Sequence, residues 1–297
     1  MTGRASTGLL RVIREWYKPL LLLAPALAYL GLFIVYPIVD SFATAFFYKG
    51  YFSLESVKYL LYSPLSKFWE ALRYTLVLAA LVVPIETTLA LIATLVLLQP
   101  FKGRDTAVYI LTIPIAISDV AAGLIWYSML TSKGFINKIL LGLGLIDSPI
   151  VFFGYEYRDR ALLAIVMAEV WRSMALVFII IFAGAQLIHK ELFEAAEVFG
   201  ASFWVKLRHV LFPLIKPSIQ AALIIRTLFA FQVFAVVWVL AGRDVPVLAG
   251  EAYYTLVELY RFDVAALYAL VIAALSMSTG VLYLRFLRAR HLEVGRS

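Results

Sequence analysis

The sequence has no cysteine, one asparagine and only three histidines in 297 residues. The missing cysteine excludes disulfides, thiol nucleophiles and cysteine-ligated metals, and leaves the redox compartment open. The lone asparagine, Asn137, and the few glutamines fit two explanations equally: a thermophilic source, or the bias of a very apolar chain. His189, His209 and His291 show no metal-ligand spacing. No G-x-S-x-G elbow and no H-E-x-x-H helix occurs, so signals of enzyme chemistry are absent. Charge is scarce as well, at 15% of residues against about 25% in a soluble domain.

Apolar residues take the place of the missing charge. They make up 63% of the chain, where soluble domains hold about 45–50%. Six runs approach or exceed the roughly 20 residues a helix needs to cross the hydrocarbon. They are Leu20–Phe47, Leu72–Leu98, Ala107–Leu130, Ala161–Leu187, Ile219–Leu240 and Val264–Leu287. The expected fold is an all-α integral membrane domain of six spans. The first run far outlasts the ~7–15 residues of a signal-peptide core, so it reads as a span.

The net charge of +7 fits a membrane protein without invoking nucleic acid, because basic residues set topology on the cytoplasmic side. One side, with both termini and the second and fourth connections, carries fourteen Lys and Arg; the other carries nine. Both termini are therefore expected in the cytoplasm, and the chain in the cytoplasmic (inner or plasma) membrane. Residues 1–19 form a basic amphipathic lead with Trp16 and Tyr17 as interfacial anchors. Residues 20–287 form the membrane domain, including a cytoplasmic loop at 188–217, and residues 288–297 form a tail.

That loop holds EAAEVFGASFWVKLRHVLFP, from Glu194 to Pro213. Leu192, Ala195, Ala196, Phe199 and Phe203 recur at helical spacing as an apolar stripe, with Glu191, Glu194 and Glu197 beside it. Gly200 permits a bend, and Pro213 and Pro217 break or kink the helix beyond it. From the residues alone, a helix docked on another protein and a helix lying on the membrane surface stand about level.

Here the sequence resembles a known family. Glu194-Ala195-Ala196, three residues, Gly200, nine residues, then Val210-Leu211-Phe212-Pro213 is similar to the signature EAA-x3-G-x9-I-x-L-P of binding-protein-dependent ABC importer permeases. Val210 and Phe212 are mild departures, and Phe199 stands where many members have Asp. The sugar-transporting branch is resembled by Pro25–Phe42, by Ile113–Leu130 with Gly134–Asn137 and Leu143–Leu145, and by Glu169–Ile188. A Gly-Gly-x-Pro feature appears only loosely, at Ala241–Pro246.

The resemblance implies a maltose-permease-like (type I ABC importer) fold. It implies a coupling helix that docks on a cytoplasmic ATPase through Glu194, Ala195, Ala196, Phe199, Gly200, Phe203 and Pro213. It also implies partners: a second related permease, two ABC ATPase subunits, an external solute-binding protein, and a sugar as cargo. The sugar itself stays open. No cofactor is expected in this chain, with ATP and magnesium held by the ATPases. Gly3–Gly8 imitates a phosphate loop but is followed by Leu9-Leu10 in place of Lys-Ser/Thr.

Ionisable residues inside spans are functional by default. Glu86, Asp119, Glu169 and Arg172, with Gln232 and the aromatic faces of Trp126 and Trp171, are the candidate substrate path. For any one of them alone, helix–helix hydrogen bonding or contact with a companion subunit is the favoured role. Arg226 is expected near the cytoplasmic interface, snorkelling. An ion-gradient-driven secondary transporter, with Glu86, Asp119 and Glu169 as a relay, is the alternative.

Overall fold

The computed structural model describes residues 21–48 and 51–286. The amphipathic lead 1–19 and the tail 288–297 lie outside the described residues.

Helix α1 (Leu21–Phe46) is the first crossing. A hairpin of β1 (Phe47–Tyr48) and β2 (Tyr51–Phe52) follows, with Phe47 opposite Phe52, and then the short α2 (Glu55–Tyr62). The second crossing is α3 (Phe68–Leu97). Pro84 lies within it and cannot donate to the preceding turn. Thr87 and Thr88 fold back onto the carbonyls of Val83 and Pro84 at 2.7 and 2.8 Å.

The third crossing, expected at Ala107–Leu130, is bent. Helix α4 (Arg104–Thr112) runs into a 3-10 turn at Ile113–Ala116. The axis then turns by 103° into α5 (Asp119–Leu130) and α6 (Phe135–Gly142). The break has a local cause. Ile117 and Ser118 are extended, and the Ser118 hydroxyl accepts the Ala121 N–H at 3.2 Å, starting a new helix.

Helix α7 (Arg158–Gln186) is the most enclosed crossing. It packs along α3 with small residues among the contacts: Ala90 on α3 shares a buried cluster with Val177 and Phe178 of α7, and Ala161 and Ala168 on α7 share one with Leu78 and Val82 of α3. Lipid offers apolar side chains no reason to leave it, so close backbone approach through small residues holds such helices together.

After α7 come the short α8 (Lys190–Val198) and the long α9 (Phe203–Phe231). The fifth crossing is thus α9, and the expected span Ile219–Leu240 is divided. The chain breaks at Gln232–Phe234 and restarts as α10 (Ala235–Ala241). Pro213 does not break α9, because a π turn at Leu207–Leu211 precedes it. The wider turn relieves the clash a proline ring makes with the carbonyl four residues back. In α1, Pro37 follows the π turn Gly31–Val35 in the same way. Helices α11 (Leu248–Val257) and α12 (Phe262–Phe286) complete the fold.

Among the described residues five helices are therefore long and apolar enough to cross a membrane, and the bent third segment, taken as one span, makes six. Four apolar clusters fill the interior among the described residues, and two of them lie on either side of the middle of α3 and α7. One includes Leu78, Val82, Ile165, Val170 and Val236; the other includes Ala90, Val177, Phe178, Leu211 and Ile215.

Candidate functional site

Between these cores the three long helices α3, α7 and α9, together with α5, bring five ionisable side chains into one chain of contacts. Arg226 is the keystone. Its Nε lies 2.8 and 2.9 Å from the two carboxylate oxygens of Glu86, and one Nη is 3.0 Å from Glu169. Glu169 continues to Arg172 at 3.4 Å, and Arg172 to Asp119 at 2.9 Å. The Ser173 hydroxyl donates to Glu86 at 2.8 Å and also touches the Glu169 carbonyl. Arg226 is thus not a snorkelling interfacial residue. It is 2% exposed, because two carboxylates on neighbouring helices supply what water would. Removing a charge from water costs several kcal/mol and is repaid only by close, well-oriented partners.

The chain grades from dry to wet. Glu86, Glu169 and Arg226 are buried, whereas the Asp119 side chain is 51% exposed. At the wet end is a cavity of about 310 Å³. Asp119, Glu169, Arg172, Ser173, Arg226 and Gln232 form its polar wall, and Ile115, Leu176, Phe229 and Val233 its apolar wall. Both helix breaks open onto it: Asp119 starts α5, and Gln232 caps the end of α9. Broken backbone is tolerated at membrane depth where it borders such a cavity. Trp126 and Trp171 meet edge to face, 6.3 Å between centroids, packed on the apolar core and away from the cavity wall.

The loop segment is a second locus. Helix α8 ends in a left-handed residue, Gly200, with φ +76°. The Gly200 and Ala201 N–H groups cap the carbonyls of Glu197 and Ala196 at 2.8 and 2.9 Å, a glycine stop that satisfies the helix end. The expected apolar stripe is split. Ala196 turns inward beside Phe193, which packs on the inner core, while Leu192, Ala195 and Phe199 face out, and Phe203 begins α9. Phe199 is 90% exposed and Trp204 73%. Glu194 is also exposed, and Pro213 sits in the first turn after the π turn.

Sequence reasoning missed two features. Glu251 is buried and holds Arg243 in a fork of two 2.8 Å bonds, with Arg243 stacked 3.6 Å over Tyr254. Lys206 pairs with Glu197 at 2.5 Å across the Gly200 turn. A carboxylate in the first turn of α11 was the only signal for the first, and loop closure hid the second.

No family model matches the chain. It is 32% identical over 237 residues to the trehalose/maltose transport system permease protein MalF of Thermococcus litoralis, covering 77% of this chain and 78% of that one. It is 31% identical over 284 residues to the sulfoquinovosyl glycerol transport system permease protein SmoG of Agrobacterium fabrum, covering 91% and 90%. The chain belongs to the sugar-transport branch of the ABC importer permeases. The permease fold agrees. A chain of the crystal structure of a bacterial ABC transporter that imports the acidic polysaccharide alginate superposes with a TM-score of 0.82. That match has 21% sequence identity and covers 95% of the permease and 99% of the other chain. The permease is accordingly a multi-pass membrane protein, and α8 is the helix that carries the signature residues.

Proposed function

We propose that this permease moves a sugar across the cytoplasmic membrane by alternating access, driven by ATP hydrolysed on separate subunits. The observation that carries the reading is α8. It bears the Glu194-Ala195-Ala196…Gly200 signature, and it presents Leu192, Ala195 and Phe199 to no partner within the described chain. An apolar face on a charged connection between two crossings is a docking face. The assembly comprises a second related permease, two ATPases carrying ATP and magnesium, and an external binding protein that delivers the sugar. Both termini lie on the ATPase side.

The cavity between the two helix breaks supplies the sugar path. Asp119, Arg172 and Gln232 offer hydrogen-bonding groups to hydroxyls, and Phe229 offers an apolar face. Glu86, Glu169 and Arg226 hold the helices that form the wall. The ion-gradient alternative needs carboxylates free to load and unload. Glu86 and Glu169 are instead tied to guanidinium groups. Transport follows if ATP and the loaded binding protein favour the same state, since each shifts the equilibrium only by its differential affinity.

Gly200→Trp tests the reading. The substitution places an indole at a left-handed turn on the docking surface, where Gly alone is relaxed. ATP turnover should continue while uptake into proteoliposomes, supplied with the binding protein, falls to background. Normal uptake in that variant would falsify the proposal.

A further inference from the structure

The connection between α8 and the rest of the permease is slight. Among the described residues no helix packs along it. A cavity of about 540 Å³ separates it from the inner ends of α3 and α7, with Leu95, Phe193, Glu197, Phe203 and Lys206 among its walls. Two side-chain contacts of different kind tie α8 to neighbouring elements beside this space. One is the apolar seat of Phe193 on the inner core. The other is the ion pair between Glu197, in the last turn of α8, and Lys206, in the first turn of α9. An apolar seat lets surfaces slide. A charged hydrogen bond fixes direction and separation.

Helix α9 then runs unbroken from Phe203 to Phe231. Arg226 lies twenty residues beyond Lys206 on it, about 30 Å at 1.5 Å per residue. Arg226 is the group that bridges α3 and α7. One rod therefore has the α8 contact at one end and the keystone of the buried charge chain at the other.

We propose that Glu197 and Lys206 are positioning residues for transport: a strut that passes displacement of α8 into α9, and so to the Arg226 contacts that line the cavity. The proposal rests on α8 being the ATPase-docking helix. The pair is exposed on the Glu197 side, at 60%, and exposed pairs add little to equilibrium stability. Its loss should appear in coupling and leave assembly intact. The π turn at Leu207–Leu211 directly follows Lys206 and keeps α9 continuous through Pro213, so a displacement received at Lys206 enters the same helix that carries Arg226.

The test uses the whole complex, permease with its companion permease, ATPases and binding protein, in proteoliposomes, with radiolabelled trehalose and maltose as probes. The variants are Glu197→Lys, Lys206→Glu and the exchanged pair; Glu197→Gln serves if the reversals do not assemble. The readout is sugar delivered per ATP hydrolysed. Each single variant should lower that ratio at least about fivefold, the lower edge of ordinary allosteric coupling, and the exchanged pair should recover most of it. Wild-type ratios in the single variants would overturn the strut. So would an exchanged pair as poor as the singles, since each residue would then act on the ATPase surface separately. If the wild-type complex turns over ATP but imports neither sugar, a cysteine pair linking Phe199→Cys to the ATPase separates the failures. Cross-linking retains the docking reading, and the ATPase response to the binding protein then reads the strut in the same variants. Absence of cross-linking removes the docking reading and the strut with it.

Discussion

Arg226 shows how strongly one side chain can be committed. Its guanidinium pairs with carboxylates on two other helices, while Arg172 reaches Glu169 but pairs onward with Asp119. Removing one partner of a buried ionic group costs about 3–5 kcal/mol, because the orphaned charges stay behind in the low dielectric. Arg226→Met should therefore lower the thermal unfolding temperature in detergent sharply. Adding Glu86→Gln and Glu169→Gln should restore most of the loss. A single variant as stable as the parent would show that water reaches the triad. The reverse holds for Asn137, which is structural at every atom it offers. Its amide oxygen accepts the Ile150 N–H, and its amide nitrogen donates to the Thr131 and Ile150 carbonyls. The identities of the ionisable residues are legible in the sequence, and so is the i,i+3 contact of Glu169 with Arg172. Depth is not. Arg226 looks interfacial because the apolar run starts at Ile219, whereas the helix begins at Phe203.

At the scale of the helix, small residues decide what can approach what. Gly184 on α7 faces Ser218 on α9, and a Cβ added there would overlap the serine side chain. Overpacking a tight contact costs about 1–3 kcal/mol. Gly184→Val should thus destabilise the permease, measured by thermal unfolding, and Ser218→Gly should relieve much of the penalty. The crossings themselves are legible as apolar runs, because the hydrocarbon imposes a length that composition alone reveals. Their interruptions are not. The break before Asp119 depends on Ser118 capping a new helix, and the break after Phe231 falls in a run that stays apolar through Leu240. A hydropathy run cannot distinguish one helix from two that meet at an angle. Proline misleads in the other direction: Pro213 predicts a broken helix, and the π turn before it keeps α9 continuous. The signature loop is the most legible feature. Its partition into an inward face at Phe193 and Ala196 and an outward face at Leu192, Ala195 and Phe199 required the structure.

For the whole molecule, the exposed apolar surfaces fall into two kinds. Those along the crossings face lipid or a neighbouring subunit. Those on α8 and at Phe203 and Trp204 lie at a turn between crossings. Extraction from the native membrane in mild detergent should therefore recover the permease with an ATPase bearing a Walker motif and with a second permease, identified by mass spectrometry. Recovery of the chain alone, active in liposomes without ATP and abolished by an ionophore, would return the secondary transporter to consideration. The identity of the sugar is not legible at any scale, because the hydrogen-bonding side chains at the cavity suit hydroxyls in general.

The position of α1 bears on how the protein is made. None of its residues before Ala45 is buried, and the helix it packs against most is α12, the last crossing. An early crossing thus finds its main neighbour in a late one. A chain cut short before Phe262 would leave α1 without its main packing partner. Seating of α1 therefore depends on a crossing translated long after it.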